Sequence, residues 1–388
     1  MIRRPPRSTL DRSSAASDVY KRQVGTCGVM GTASTMAITT EALGLMIPNS
    51  ACAPAVSADR KRIAESTGKT AVKIAMENLK PSDYLSEKNF LNALIVLSSI
   101  GGSTNGLVHL TAMAGRLGIT IDLIKFDDIT KNLPMIVDLK PSGTGYMEDL
   151  YKAGGSQRIF YELKDFLYLD AKSVNGTTLG EEIKNSAKWT QNIITNKSNP
   201  VFNAGSIAVL KGTLAPNSAI IKQSAATESL LIHEGRAVVF EGLEDLANRI
   251  DRDDLDVTKD DVLILKSIGP KGGPGMPEAG LIPIPKKLAK QGVIVMVMIS
   301  DGRMSGTASG TIILHVTPES YENGPLAIVQ NGDLIKLNVP KRKIDLIISH
   351  ETYNMKYLTG YDAWSFYYAQ CVLVHVDSKE PICFVRDQ

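Results

Sequence analysis

The sequence has no hydrophobic run long enough to cross a membrane. Of its 388 residues 43% are hydrophobic, and the longest strongly apolar stretch is Val293–Ile299. A membrane-spanning helix needs about 20 apolar residues. Blocks of lysine and arginine, and stripes that mix basic with aromatic residues, are also missing. We therefore expect neither a membrane protein nor a nucleic-acid binder.

Cysteine and histidine are scarce and scattered. The four cysteines form no C-x-x-C pair, and the five histidines form no H-E-x-x-H or similar cluster. This excludes a local zinc or iron–sulfur signature and the disulfide framework of a small secreted domain. The sequence also lacks the P-loop motif and the G-x-S-x-G motif, which argues against a P-loop nucleotide-binding protein and a serine hydrolase.

Residues 1–23 differ from the rest of the chain. They hold six basic and two acidic side chains, whereas the remaining residues carry a net charge of −2. The segment has no apolar core of the kind found in secretory signals. We expect it to be non-native, adapter-like sequence, with an organelle transit peptide as the alternative.

Hydrophobic periodicity beyond residue 23 is typical of an α/β protein. Helices are predicted at 32–45, 59–78, 87–98, 107–117, 243–250 and 286–291. Strands are predicted at 206–210, 219–222, 237–241, 262–267, 293–299, 311–316, 334–339 and 344–348. The polar stretch 175–202 indicates a domain boundary near Thr195. We therefore expect an α/β domain at 24–194 and a strand-rich, β-barrel-like α/β domain at 195–388.

Three segments carry candidate chemistry. Cys27 lies in a turn of small residues before a predicted helix, whose N-terminal end favours a metal-binding thiolate. A buried structural cysteine is the alternative. The loop Gly269–Glu278 has four glycines and three prolines, and it offers one carboxylate, Glu278, as a hard-metal ligand. Ser300–Thr307 follows an apolar strand, where open α/β folds place functional groups.

Two further loops have polar side chains in turn-forming sequence. Gly101–Asn105 suits either an anion site at the following helix or a plain helix cap. Lys140–Tyr146 has the composition of a turn with polar side chains. The residues alone leave a structural and a ligand-binding role open for both loops.

Taken together, these segments resemble the dihydroxy-acid/6-phosphogluconate dehydratase family. The matching stretches, in the family's order, are GTCGVMGTASTM at 25–36, EALGLMIPNSA at 41–51, GGSTNGLVHL at 101–110, KPSGTGYMEDLYKAGG at 140–155, GSIAVLKGTLAP at 205–216, GRAVVFEG at 235–242, GPKGGPGMPE at 269–278 and SDGRMSGT at 300–307. The wording of the first and last stretches is similar to the sugar-acid (pentonate, arabinonate or xylonate) branch.

The resemblance implies a fold, a reaction and its cofactors. It implies an N-terminal α/β cluster-binding domain and a C-terminal swivelling β-barrel-like domain. The implied reaction removes water from a 2,3-dihydroxy sugar acid to give a 2-keto-3-deoxy acid. An iron–sulfur cluster, with a 2Fe–2S type favoured over 4Fe–4S, would take the departing hydroxyl, and Mg²⁺ would bind near the carboxylate.

Site residues follow from the same resemblance. Cys27 matches a cluster cysteine, Glu278 matches the magnesium carboxylate, and Ser305 matches a serine that acts as the catalytic base. Substrate-binding roles are expected for seven further residues: Ser103, Thr104, Asn105, Lys140, Ser142, Arg303 and Gly306.

The sequence departs from the family pattern before Cys27. Two cluster cysteines and an Asp-Lys pair that help to hold magnesium have no counterpart in residues 1–23. We therefore expect an N-terminally incomplete copy that cannot assemble the cluster and is inactive as written. The visible absorbance of the protein after reconstitution with iron and sulfide checks this, because a stoichiometric 2Fe–2S cluster would contradict it.

Other readings of the sequence stay open. They are a dihydroxy-acid dehydratase of branched-chain amino-acid synthesis, a catalytically dead fragment that binds an acid, and a phosphate- or nucleotide-binding module. The partner expected is a small sugar acid or dihydroxy acid, with no nucleic acid and no membrane. The family resemblance further implies a cytoplasmic homodimer or homotetramer.

Overall fold

The computed structural model describes residues 27–184, 186, 191–347, 371–373 and 382–384. These residues divide between two units. The first runs to Ile207 and also includes Ser305–Ser309, and the second holds Ala208–Met304 and the residues from Gly310 onward. The expectations for residues 1–23 lie outside the described residues.

Helices and loops make up most of the described first unit. Its helices are α1 (Thr32–Ala42), α2 (Ala58–Glu77), α3 (Glu87–Ser99), α4 (Asn105–Arg116), α5 (Leu123–Thr130), α6 (Met147–Lys152), α7 (Gly155–Glu162) and α8 (Leu179–Glu182). Helix α3 is the central one, since most of its side chains are buried. Helix α2 has no buried residue; Ser57 caps its start by accepting from the Arg60 N–H at 3.1 Å.

The second unit is organised around an eight-stranded sheet. Its strands are β1 (Ala208–Leu210), β2 (Ser218–Ile221), β3 (Ile232–Phe240), β4 (Val262–Leu265), β5 (Val297–Ser300), β6 (Ile312–Thr317), β7 (Leu334–Asn338) and β8 (Lys343–Ile347). Helices α9 (Leu243–Arg249), α10 (Lys286–Ala289) and α11 (Pro325–Ile328) lie between them in sequence. A separate two-stranded sheet pairs β9 (Cys371–Leu373) with β10 (Ile382–Phe384).

The sheet is nearly closed on itself. Its strand order is β1-β2-β6-β5-β4-β3-β7-β8, which leaves β1 and β8 as its two edges. Lys211, directly after β1, joins these edges: its N–H donates to the Arg342 carbonyl at 3.0 Å, and its carbonyl accepts from the Ile344 N–H at 3.2 Å. Closure of this kind satisfies backbone groups that an open edge would expose. The expected barrel-like α/β fold is therefore confirmed.

Parallel pairing in the middle of the sheet aligns two loops that the sequence analysis singled out. Strands β3, β4, β5 and β6 run parallel, and Leu265 of β4 pairs with Ser300 of β5. Both β4 and β5 are fully buried, as their uninterrupted apolar sequence predicts. The loop Gly269–Glu278 and the segment after β5 therefore both begin at the carboxyl ends of neighbouring parallel strands.

The eight strands and six helices predicted from sequence are all present, with shifts at their ends. Strand β5 begins at Val297 rather than Val293, and Ile294 is 84% exposed. Strand β3 begins five residues earlier than predicted, at Ile232. Its first half pairs only with β7 and has polar, partly exposed side chains, so its apolar signal is weak there.

Hydropathy along the described helices agrees with the composition. None of them is both long enough and apolar enough to span a bilayer.

One buried cation lies in the second unit. Lys222 directly follows β2 and is only 2% exposed. Its Nζ has no hydrogen-bond partner among the residues that the structure describes. Burial without a partner disfavours the charged form and lowers the pKa of the Lys222 ammonium to about 7.

We predict that Lys222→Met stabilises the protein and that the gain depends on pH. The lysine pKa is lower in the folded state, so the cost of burying it is greatest below about pH 7 and disappears above its ordinary value of 10.5. The free energy of unfolding should rise by about 1–3 kcal/mol at acidic pH. Urea unfolding at about pH 6 and about pH 10 measures this.

Lys259→Met is the matched control, because the Lys259 side chain is 67% exposed. It should change the stability by less than about 0.5 kcal/mol at either pH. Equal effects of Lys222→Met at the two pH values would contradict the buried, unpaired amine.

Candidate functional site

The turn that carries Cys27 leads directly into α1. Ser34 on the first turn of α1 donates its hydroxyl to the Cys27 carbonyl at 3.2 Å. Gly31 is the N-cap residue and has no side chain to cap the helix. Cys27 itself is half-buried and is not in a disulfide. The sulfur therefore lies beside the beginning of α1, as the sequence predicts.

A second loop holds this turn through its backbone. The Met30 N–H donates to the Lys140 carbonyl at 2.9 Å, and the Met147 N–H donates to the Gly28 carbonyl at 2.8 Å. Across this loop the Lys140 ammonium donates to the Tyr146 hydroxyl at 2.5 Å and lies 4.4 Å from the centre of its ring. The loop 140–147 thus places a lysine and a tyrosine next to the Cys27 turn.

The glycine loop before α4 packs on the first turn of α1. The Ser103 and Thr32 hydroxyls are 3.0 Å apart, and the Asn105 side-chain amide donates to the same Thr32 hydroxyl at 2.9 Å. The Ser103 N–H donates to the Thr35 hydroxyl at 2.9 Å. Ser103, Asn105 and Thr35 are all buried. These side chains therefore join the loop to α1.

Two more predicted residues lie near this loop. Thr104 is the N-cap residue of α4 and is 2% exposed, but its side chain makes no capping hydrogen bond. The Ser142 hydroxyl is 3.6 Å from the point where a Cβ on Gly101 would stand. The loops at 101–105 and 140–146 are therefore neighbours.

The Ser305–Ser309 segment, which belongs to the first unit, packs on the beginning of α1 and on the glycine loop before α4. The Ser305 hydroxyl is 2.9 Å from that of Thr307. A Cβ on Gly306 would stand 2.6 Å from the Ser103 Cβ, so only glycine fits there without a shift. A Cβ on Gly31 would stand 3.1 Å from the Thr307 methyl group. The segment thus lies on the beginning of α1 in close contact.

The structure therefore gathers most of the predicted site residues in the first unit. One region holds Cys27, Ser103, Thr104, Asn105, Lys140, Ser142, Ser305 and Gly306. These residues offer mostly hydroxyl groups, one side-chain amide and one ammonium, a set of groups that suits a polyhydroxylated acid. The roles assigned to these residues stay predictions. Thr32 and Thr307, which complete the region, were not singled out from the sequence, because only the folded chain brings them to Cys27.

Glu278 and Arg303 belong to the second unit. The Arg303 guanidinium lies 3.2 Å from the Glu278 carboxylate and donates through Nε to the Met276 carbonyl at 2.7 Å. Arg303 therefore holds the end of the Gly269–Glu278 loop against the residues that follow β5. The structure gives Arg303 this loop-holding contact, and its expected role in substrate binding stays a prediction.

Asp301 is a buried carboxylate that sequence analysis passed over. It follows β5 directly, is 1% exposed, and accepts backbone N–H groups from three residues. These are Ile268 at 3.0 Å, Ser267 at 3.2 Å and Ser320 at 3.0 Å. Asp301 thus joins the loops that follow β4 and β6 to its own loop after β5.

Glu319 holds the other end of the same glycine-proline loop. Its carboxylate accepts the Lys271 N–H at 2.9 Å and the Gly272 N–H at 3.2 Å. A Cβ on Gly269 would stand 2.6 Å from this carboxylate. The loop that carries Glu278 is therefore fixed by acidic residues at its beginning and by Arg303 at its end.

Cys52 has a different environment from Cys27. It is buried beside Glu41, a buried carboxylate that accepts from the Asn49 and Ala51 N–H groups and from the Ser156 and Gln157 side chains. Burial raises the pKa of Glu41 above its ordinary value. Burial and the nearby Glu41 raise the pKa of the Cys52 thiol to about 12. Cys52 is therefore held as a thiol, which is a poor metal ligand.

The described residues do not by themselves fit the implied cofactors. No group of three or more histidine, cysteine, aspartate or glutamate side chains that could hold a metal is found among them. An iron–sulfur cluster takes about four ligands, and the Cys27 turn supplies one. The Glu278 carboxylate faces Arg303.

We predict that Asp301→Asn destabilises the protein by about 1–3 kcal/mol. The new amide group would face backbone N–H donors that the carboxylate now accepts. Asp254→Asn is the control, because this carboxylate is 68% exposed and pairs only with Arg252 among the described ion pairs. Urea unfolding compares the two variants, and equal midpoints would contradict the anchoring role of Asp301.

Comparison with known proteins identifies the family. The model of the dihydroxy-acid/6-phosphogluconate dehydratase N-terminal domain matches residues 7–182, and that of the C-terminal domain matches residues 192–371.

Relatives named as sugar-acid dehydratases and relatives named as dihydroxy-acid dehydratases both match the chain. An L-arabinonate dehydratase of Rhizobium leguminosarum is 44% identical over 85% of this chain and 57% of its own length. An L-arabonate dehydratase of Azospirillum brasilense is 44% identical over 80% of this chain and 54% of its own length. A dihydroxy-acid dehydratase of Methanococcoides burtonii is 40% identical over 84% of this chain and 59% of its own length. The chain thus spans less than two thirds of these relatives, and it belongs to the dihydroxy-acid/6-phosphogluconate dehydratase family.

Proposed function

We propose that the chain is part of a hydro-lyase that converts a 2,3-dihydroxy sugar acid to a 2-keto-3-deoxy acid. The observation that carries the proposal is the contact of the Ser305–Ser309 segment with the beginning of α1, next to Cys27. Family membership and relatives named as arabinonate dehydratases support it. The reaction removes a proton from C2 and hydroxide from C3, and the resulting enol tautomerises to the keto acid.

Ser305 is the proposed base for the C2 proton. A serine hydroxyl is a weak base unless its negatively charged form is stabilised. The Thr307 hydroxyl lies 2.9 Å from it and the Thr307 N–H donates to it at 3.4 Å. Donors of this kind favour the charged form of an oxygen. Ser305 is half-buried, so a substrate can reach it.

The remaining polar groups are proposed to bind the acid. Lys140 offers an ammonium for the carboxylate, while Ser103, Thr104, Asn105 and Ser142 offer groups for the hydroxyls. Gly306 lets the Ser305 segment approach the Ser103 loop closely enough for one small molecule to contact both the segment and the loop. Arg303 remains a proposed binding residue. A small hydroxylated acid requires such polar groups in fixed positions.

The cofactors are proposals as well. We propose Cys27 as one ligand of an iron–sulfur cluster and Glu278 as one ligand of Mg²⁺. Each supplies one donor and falls short of a complete site among the described residues. The homo-oligomeric state and the cytoplasmic location remain proposals from the family resemblance.

A dihydroxy-acid dehydratase of branched-chain amino-acid synthesis is the second candidate. The relative from Methanococcoides burtonii with that name supports it at 40% identity. The two candidates differ in the substrate, because C3 of dihydroxy-isovalerate carries two methyl groups where C3 of a sugar acid carries a hydrogen and a hydroxylated carbon chain. Binding measurements separate them.

We predict that the purified chain binds L-arabinonate and that Lys140→Met weakens this binding about tenfold, equivalent to about 1.4 kcal/mol. The physical reason is the loss of the ammonium that we propose pairs with the substrate carboxylate. Titration calorimetry measures the affinity for L-arabinonate, D-gluconate and dihydroxy-isovalerate, with L-arabinose as the ligand that lacks a carboxylate.

Lys131→Met is the matched control, since Lys131 is a surface residue paired with Asp128. It should leave the affinity unchanged. Tighter binding of dihydroxy-isovalerate than of the sugar acids would favour the second candidate. Binding of none of the acids more tightly than L-arabinose would overturn the proposed function.

A further inference from the structure

A small pocket in the first unit shares no residue with the region around Cys27. It lies between helices α3 and α5, and the segment 119–122 that precedes α5 forms one of its walls. Its volume is about 110 Å³. The proposed function gives this pocket no role, so its lining residues are considered for a ligand of their own.

Apolar side chains make up the inner part of the pocket. Phe90, Leu94 and Phe126 are buried there, and Leu91 and Ile121 are half-buried. An apolar cavity of about 150 Å³ holds one benzene molecule. Because this pocket is smaller, it has room for a branched chain of about four carbons but not for an aromatic ring.

An ion pair borders the apolar part of the pocket. The Lys125 ammonium lies 3.0 Å from the Glu87 carboxylate, and both side chains are more than half exposed. Such an exposed pair contributes little to stability, so a ligand can separate the two charges at small cost. The nearby Asp122 carboxylate is already used, because it accepts the Ile124 and Lys125 N–H groups at 2.8 and 3.2 Å.

We propose that this pocket binds a free aliphatic α-amino acid such as L-leucine. The branched side chain enters the apolar part, the carboxylate pairs with Lys125, and the ammonium pairs with Glu87. A fatty acid would bring its carboxylate next to Glu87, and an alkylamine would bring its ammonium next to Lys125, so each would meet a like charge. A zwitterion satisfies both side chains of the opened ion pair.

Titration calorimetry with L-leucine and four related compounds tests the ligand class. L-alanine should bind more than tenfold more weakly, because it lacks the branched chain, and so should L-phenylalanine, because its ring is too large. Leucinol lacks the carboxylate and 4-methylpentanoate lacks the ammonium, so each should bind several-fold more weakly than L-leucine. Failure of L-leucine to bind, or equal affinities for L-leucine, leucinol and 4-methylpentanoate, would overturn the proposal.

Two charge variants locate the bound amino acid. Lys125→Met should abolish the preference for L-leucine over leucinol and keep the preference over 4-methylpentanoate, whereas Glu87→Gln should do the reverse. Lys88→Met is the matched control, because Lys88 is also on α3 but pairs with Asp170. It should leave both preferences unchanged. A general loss of stability would not produce this crossed pattern, and the same preferences in all three variants would overturn the proposed contacts.

A filled pocket separates this ligand from other occupants. Leu91→Trp should weaken L-leucine binding more than tenfold without changing the elution volume in gel filtration, and Val72→Trp on the exposed helix α2 is the control. A changed oligomeric state with unchanged L-leucine binding would show a contact between copies of the chain and overturn the proposal. L-arabinonate should not displace L-leucine, so the proposed function and the amino-acid site can fail separately.

Discussion

The close approach of the Ser305–Ser309 segment to the beginning of α1 is the constraint on which the proposed chemistry depends. It requires two backbone positions without side chains. A Cβ on Gly306 would clash with Ser103, and one on Gly31 would press against Thr307. Beside these glycines, the hydroxyl groups of Thr32 and Ser103, which are distant in sequence, lie within hydrogen-bonding distance of each other. The site therefore depends on backbone contact as much as on its polar side chains.

The second unit contributes a rigid platform for its own loops. Parallel pairing of β4 with β5 starts both loops at one edge of the sheet. Asp301, which follows β5, accepts backbone N–H groups from the loops after β4 and β6. Glu319 and Arg303 hold the two ends of the Gly269–Glu278 loop. Charged side chains in these motifs thus serve the geometry of the loops.

Sequence analysis predicted the elements with strong local signals. The buried strand β4 is an uninterrupted apolar run, β5 is apolar up to Ser300, and α3 and α4 have an apolar face with a 3.6-residue period. The helices α5 to α8 and α11 were not predicted. The prediction was less accurate where a strand is half-exposed, as in the first half of β3, or where an apolar run continues into solvent, as before β5.

Sequence analysis could not predict contacts between residues that are distant in the sequence. Ser305 was expected in the C-terminal domain, whereas the structure groups Ser305–Ser309 with the first unit. The sequence around Thr307 and Asp301 does not distinguish a structural role from a catalytic role. Lys222 ends a predicted strand, and only the folded chain shows that its ammonium is buried without a partner among the described residues. The family resemblance indicated the chemistry, and the folded backbone supplied the contacts.

A disulfide between Cys27 and a thiol introduced by Thr307→Cys tests the central contact most directly. The Thr307 methyl carbon and the Cys27 sulfur lie 3.1 and 3.5 Å from the point where a Cβ on Gly31 would stand. We expect mild oxidation to link Cys27 to the introduced thiol, as peptide mass spectrometry would detect. The link should be absent when Cys27 is also changed to serine. Failure of Thr307→Cys to link, or equally efficient linking by Ser309→Cys, would contradict the account.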